Sequence, residues 1–219
     1  MSNAVAERLK SDILDNALAP ASRLRLFDLT DKYETTAGKM REALIQLASE
    51  GLIAYEPKRG FALLPLSTAE LRDVTKLRIE LESVAFREAI HLGGDEWESA
   101  IVGSLHLLAK AEKGSIKNRS RLDSDWSVKH RAFHAALLSA CESPWRLRFS
   151  KQLSDHAERY RRLSIAVRKH ERDIHAEHQA IADAAIARKA DAACSLLAKH
   201  YTATADAVSA ALAAARKGE

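Results

Sequence analysis

The chain has 219 residues, with 34 Lys and Arg against 30 Asp and Glu and a formal charge of +4. Apolar residues make up 47% and charged residues 29%, which excludes a chain too polar to bury a core. No apolar run reaches the roughly 18 residues that a membrane helix needs, no basic stretch leading an apolar run marks a secretory signal, and two cysteines, Cys141 and Cys194, cannot build a disulfide framework. A cytoplasmic, mainly helical protein is expected, since Ala and Leu abound and only 8 Gly and 4 Pro interrupt them.

The elements follow in chain order. Val5, Leu9, Ile13, Leu14 and Leu18 form a helical stripe over Ala4–Leu18. Asp28–Glu34 reads as a short helix. Thr36 caps a longer one with Met40, Leu44, Leu47 and Ala48 on one face, stopping before Gly51. Leu52–Tyr55 and Phe61–Leu64 read as two strands joined by a Pro57–Gly60 turn. Three helices and a two-stranded wing give the order of a winged helix-turn-helix, placed at residues 1–66. Ser67, with Glu70 three residues on, has capping-box spacing and opens a second domain, residues 67–219. Everything beyond reads as helix: 67–92, 95–113, 120–141, 144–168, 171–188 and 191–215, an all-α bundle.

Residues 1–66 carry nine basic and nine acidic residues, so any grip on nucleic acid rests on placement and not on bulk charge. A recognition helix leads into the major groove with its first turn. Here that turn offers Thr35 and Thr36 for phosphate, and Lys39 and Arg41 for phosphate or guanine edges. Arg23 and Arg25 precede the second helix and can touch the backbone, and Arg59-Gly60 at the wing tip lets a guanidinium reach the minor groove. Taken singly, each is also an ordinary solvated charge.

Met40-Arg41-Glu42-Ala43-Leu44, then Leu47-Ala48-Ser49-Glu50-Gly51-Leu52-Ile53, then Arg59-Gly60-Phe61 resemble the GntR family signature. The resemblance implies an N-terminal winged helix that binds double-stranded operator DNA, a C-terminal effector domain, and a homodimer on a pseudo-palindromic site. Where the family's usual pattern has an Arg and a Pro before this stretch, the chain has Ala37 and Lys39. The resemblance therefore implies a docking mode and not a target sequence. Lys39 can compensate as a point charge but not as a bidentate fork.

The second domain holds the other constellation. His130 and His134 stand at i and i+4, on one helix face. His178 and His200 lie on the apolar sides of later helices, beside Ile181 and Leu197. Either these are separately satisfied core histidines, or they converge on one divalent cation, with zinc or nickel suiting imidazole ligands best. Arg78, four residues before Glu82, and Tyr160 are candidates to hold a carboxylate effector; the competing readings are a salt-bridge partner and a core residue. His91, His106, His156, His170 and His175 read as surface or capping residues.

The helical half resembles the FCD effector domain of the FadR branch, whose ligand set is typically an Asp and a His four apart plus two later histidines. His134, His178 and His200 match the three histidines, and His130 stands at the Asp position. Four imidazoles, three with water, or an empty site all stay open. Gly93–Glu98, His130–His134, Cys141–Trp145 and Arg159–Arg161 further resemble the carbon-starvation-induced repressor branch, over about residues 5–210. That implies a short dicarboxylate effector such as glutarate. The expected function is thus a non-enzymatic regulator, a repressor released by a small carboxylate bound at a metal-containing pocket. The rival is a metal-dependent hydrolase in a helical bundle. It needs a carboxylate base beside the imidazoles, and Glu177 projects about 100° away from His178 on its helix.

Overall fold

In the computed structural model, residues 2–115, 122–165 and 172–217 are described. The expected helix starts at 120 and 171, the expected end at 168, and His170 lie outside the described residues. Helix α1 (Ser2–Leu14) buries Leu9 and Ile13 in the head. It stops short of Leu18 because Asn16 adopts a left-handed φ of 53°, a conformation Asn tolerates, and its amide donates to the carbonyl of Arg159 at 3.1 Å. Strand β1 (Arg23–Leu24) precedes α2 (Leu26–Lys32) and α3 (Ala37–Ser49). Strands β2 (Ile53–Glu56) and β3 (Gly60–Leu63) pair antiparallel, with Glu56 opposite Gly60 and Ile53 opposite Leu63.

The wing is three-stranded, in the order β1-β3-β2, and not the expected two, because Arg23 and Leu24 pair with Ala62 and Phe61. Two residues are too few to show alternation in a sequence. Helix α2 also begins two residues before the expected Asp28. Met40, Ala43, Leu44 and Leu47 of α3 close the head core against α1. Thr36 caps α3, its side chain accepting from the amide of Lys39 at 3.4 Å.

The body contains α4 (Thr68–Leu92), α5 (Asp95–Ser115), α6 (Leu122–Leu138), α7 (Pro144–Ile165), α8 (Ile174–Ile186) and α9 (Ala190–Lys217). Phe86, Ile90, Ile101, Phe133, Ile181 and Leu197 form its centre. Helices α4 and α9 run antiparallel. Arg87 meets Asp191 at one end, Glu82 meets Tyr201 in the middle, and Leu71 clusters with Val208 at the other. Ser67 caps α4 by accepting from the amide of Glu70 at 3.0 Å. Among the described residues no helix is long and apolar enough to cross a membrane.

The head rests on α7. Lys10, only 7% exposed, sits between Glu50 at 2.7 Å and Asp155 at 2.6 Å. Gln152 and His156 both donate to the carbonyl of Glu50, at 3.0 and 2.9 Å, and Arg159 donates to that of Leu64 at 2.8 Å. Of the surface or capping roles expected for it, His156 takes the capping one, on the C-cap carbonyl of α3 at the seam. Gly51, at φ +76°, lies so close to this ring that an added Cβ would come within 3.3 Å of it.

Candidate metal centre and nucleic-acid interface

Four imidazoles from three helices converge in the body: His130 and His134 from α6, His178 from α8 and His200 from α9. One ring nitrogen from each lies within 4.8 Å of the others. Helical spacing alone explains the first pair, since i and i+4 share a face; the α5–α6 and α8–α9 packing brings in the rest. Burial pushes His130, His134 and His178 well below the ordinary histidine value, with the neighbouring rings adding to it. Burial also lowers His200, opposed by the Glu177 carboxylate. All four are therefore neutral at pH 7, the form that ligates a cation.

Outer partners fix how the rings point. The Tyr201 hydroxyl donates to Glu82 at 2.6 Å, which leaves it to accept from Nδ1 of His134 at 3.1 Å. Burial pushes this phenol well above its ordinary value, so it stays protonated. His200 Nδ1 donates to Glu177 at 2.8 Å, and Arg172 grips the same carboxylate. Both histidines thus carry the proton on Nδ1 and turn an Nε2 lone pair inward, the arrangement that carboxylate-linked metal ligands share. Trp126 stacks on His130 with ring centroids 4.5 Å apart, and its indole N–H donates to Glu112 at 3.3 Å.

His178 is the ring that bears most on the choice between an ion and separately satisfied core histidines. It is fully buried, and among the described residues neither ring nitrogen has a hydrogen-bond partner; Glu112 lies 3.9 Å from its Nδ1, too far to satisfy it. Two unpaired polar atoms in a closed interior cost several kcal/mol unless something fills their need. Neutral, convergent ring nitrogens, with the Nε2 atoms of His130 and His134 3.1 Å apart and both His178 nitrogens lacking a partner among the described residues, fit a divalent cation. Tyr201→Phe removes the hydroxyl that orients His134 while keeping the ring, and is expected to weaken metal affinity about 10–100-fold in a chelator competition titration.

A narrow cavity opens beside His130 and His200 between α4, α7 and α9. Arg78 lines it, as expected of an effector residue, but it is also the salt-bridge partner of Glu82 at 2.8 Å, with its guanidinium 4.0 Å above the Tyr201 ring. Tyr160 is placed elsewhere. Its hydroxyl accepts from the amide of Ser67 at 3.3 Å and donates to Glu70, bridging the two capping-box residues, so the core reading describes it better. The expectation that no carboxylate pairs with the imidazoles is corrected by Glu177 on His200. That carboxylate is no general base. Burial alone would raise its pKa, but the hydrogen bonds from His200 and Arg172 bring it down to about 2. Glu82, Tyr201, Glu177 and Arg172 were missed as site residues. Tyr201, next to His200, Glu82, four residues after Arg78, and Glu177, next to His178, carried a sequence signal, and Arg172 carried none.

In the head, Thr35, Thr36, Lys39 and Arg41 sit together at the start of α3, all exposed except half-buried Thr35. Arg25 flanks α2, exposed and free of any side-chain capping role. Arg59 stands exposed at the wing tip with only a 3.4 Å contact to exposed Glu56, and Gly60 follows at φ +82°. The charges that could meet a duplex therefore occupy the leading turn, its flank and the wing.

Residues 1–63 match the gntR family of bacterial regulatory proteins, and residues 73–203 match the FCD domain. The chain belongs to the GntR family, with an FCD effector domain. It is 39% identical over 197 residues to the uncharacterized HTH-type transcriptional regulator BphR of Paraburkholderia xenovorans LB400, covering 90% of this chain and 80% of that one. It is 34% identical to the HTH-type transcriptional repressor GlaR of Escherichia coli K12, covering 88% of each. The fold is that of E. coli McbR, with a TM-score of 0.81 at 20% identity over 94% of this chain and 96% of the other. A GntR regulator of this type is a ligand-responsive DNA-binding protein and not an enzyme. The hydrolase reading falls with that finding.

Proposed function

We propose that this GntR/FCD protein is a cytoplasmic transcriptional repressor. Its body holds a divalent cation, zinc or nickel, on His130, His134, His178 and His200, and a small carboxylate bound beside that cation releases it from DNA. The observation that carries the reading is the buried, unsatisfied His178 within a ring of four neutral imidazoles. When bound, the cation supplies positions that attract a carboxylate. Tyr201, Glu82, Glu177 and Arg172 keep the inward nitrogens unprotonated and aimed. Arg78 adds positive potential at the cavity wall. One carboxylate head group is what such a centre recognises; a short dicarboxylate such as glutarate carries two.

The division at Pro65–Ser67 separates this sensor from the reader. Two heads of a homodimer would read two half-sites of a pseudo-palindrome, with Lys39 and Arg41 in the groove and Arg25, Thr35, Thr36 and Arg59-Gly60 on backbone or minor groove. Because the head rests on α7, and α7 also forms one cavity wall, a ligand that favours one packing of α7 shifts the head. Gel-shift titration of DNA upstream of the protein's own gene tests this. Metal-loaded protein should bind it, and millimolar carboxylate should release it. No binding to any flanking DNA at low salt would contradict the reading.

A further inference from the structure

The cavity has two unlike ends. At one, His130, His200, Tyr201, Arg78, Arg161 and Glu158 gather every charged group found among the described lining residues. Arg161 is held there by Glu158 and Ser127, and its guanidinium lies 4.4 Å above the Trp126 ring that stacks on His130. From that end the cavity runs along α9, from His200 to Val208, eight residues or about 12 Å. It runs along α4 from Arg78 back to Leu71, about 10 Å. Its far walls are Leu71, Thr75, Ala157, Thr204, Ala205 and Val208, and among the described residues none there is charged.

Resting on the proposed carboxylate site, we infer that the effector is a linear monocarboxylate with an apolar tail, its head group at the imidazole end and its chain lying along Leu71, Ala205 and Val208. Among the described residues lining the far end a second carboxylate on such a chain meets no charged group, and the nearest guanidinium there, Arg172 on the hydroxyl of Thr204, is already held by Glu177. Folded back, it competes with Glu82 and Glu158 for guanidinium groups already engaged. The tail's place also gives it leverage. Leu71, Ala205 and Val208 cluster with Tyr160, and Leu66 of the connection between head and body packs against them. Tyr160 holds the amide of Ser67, and the next residue back along α7, Arg159, holds the carbonyl of Leu64. The tail presses on the cluster that carries the chain out of the head.

Calorimetry on the metal-loaded full chain tests this with butyrate, hexanoate and octanoate against glutarate and adipate, each paired with DNA release. Each added methylene should tighten the monocarboxylates roughly fourfold, and hexanoate should bind more tightly and release DNA at lower concentration than adipate. Ala157→Leu, and as a larger second variant Ala157→Phe, narrow the far end at a half-buried position. With metal content intact, they should abolish the chain-length gain while butyrate still binds. Glutarate or adipate binding as tightly as hexanoate, or a flat chain-length series, would overturn the tail and leave the carboxylate site standing. If no acid of either series binds, the carboxylate reading itself fails.

Discussion

His178→Ala is expected to strip the cation and lower thermal stability together. The wild-type ring is fully buried with both nitrogens unpaired, so an ion that binds it stabilises the folded state alone. At a thousandfold excess over its dissociation constant, such an ion adds about 4 kcal/mol, equivalent to roughly 8–16 °C in Tm for a chain of this size. Elemental analysis and thermal melts with and without chelator read both effects. The chelator should remove the wild type's metal-dependent increment in Tm and leave the variant unmoved. Equal metal content in the two proteins would place the ion elsewhere.

The same rings set a pH dependence. In the folded protein His130, His134 and His178 titrate well below 6.5, with burial the main cause, whereas the unfolded chain titrates near 6.5. Between those values the unfolded state binds more protons, so stability rises with pH. It should be complete above about pH 6.5 and fall progressively below it, with metal release following the same window. Stability flat from pH 7 to pH 5 would show that these rings do not titrate in this way.

Arg41→Ala carries the second large effect. Arg41 stands exposed on the leading turns of α3, and a phosphate contact there releases a counterion when DNA binds. Its loss should weaken operator binding roughly tenfold near 0.15 M salt and reduce the slope of log K against log salt by about 0.9. An unchanged slope would remove Arg41 from the backbone contacts. A loss confined to some base sequences would make it a reader of guanine.

Much of this architecture was legible before any coordinates. Ser67 with Glu70, the stripe from Met40 to Leu47, and the Pro57–Gly60 turn are local signals; local hydrogen bonds realise the cap and the turn, and apolar packing against α1 realises the stripe. The paired His130 and His134 were legible because helical periodicity alone puts them on one face. Their junction with His178 and His200 depends on how α6, α8 and α9 pack, which spacing does not encode. The outer shell was hidden for the same reason: Glu177 points away from His178 on its own helix and reaches His200 on the next. Tyr160, open between an effector role and a core role in the sequence, braces a helix cap only because α7 lies against the start of α4. β1 escaped because two residues pair only when a hairpin is already there to receive them.

Anomalous diffraction at the absorption edge of the bound metal, on crystals of the full-length protein, addresses the imidazole centre most directly. One strong peak per chain within about 2.1 Å of a nitrogen of His134, His178 and His200, with His130 or a water completing the shell, is the expected result. Fully loaded crystals with no peak among these rings, or with the peak at some other cluster, would contradict it.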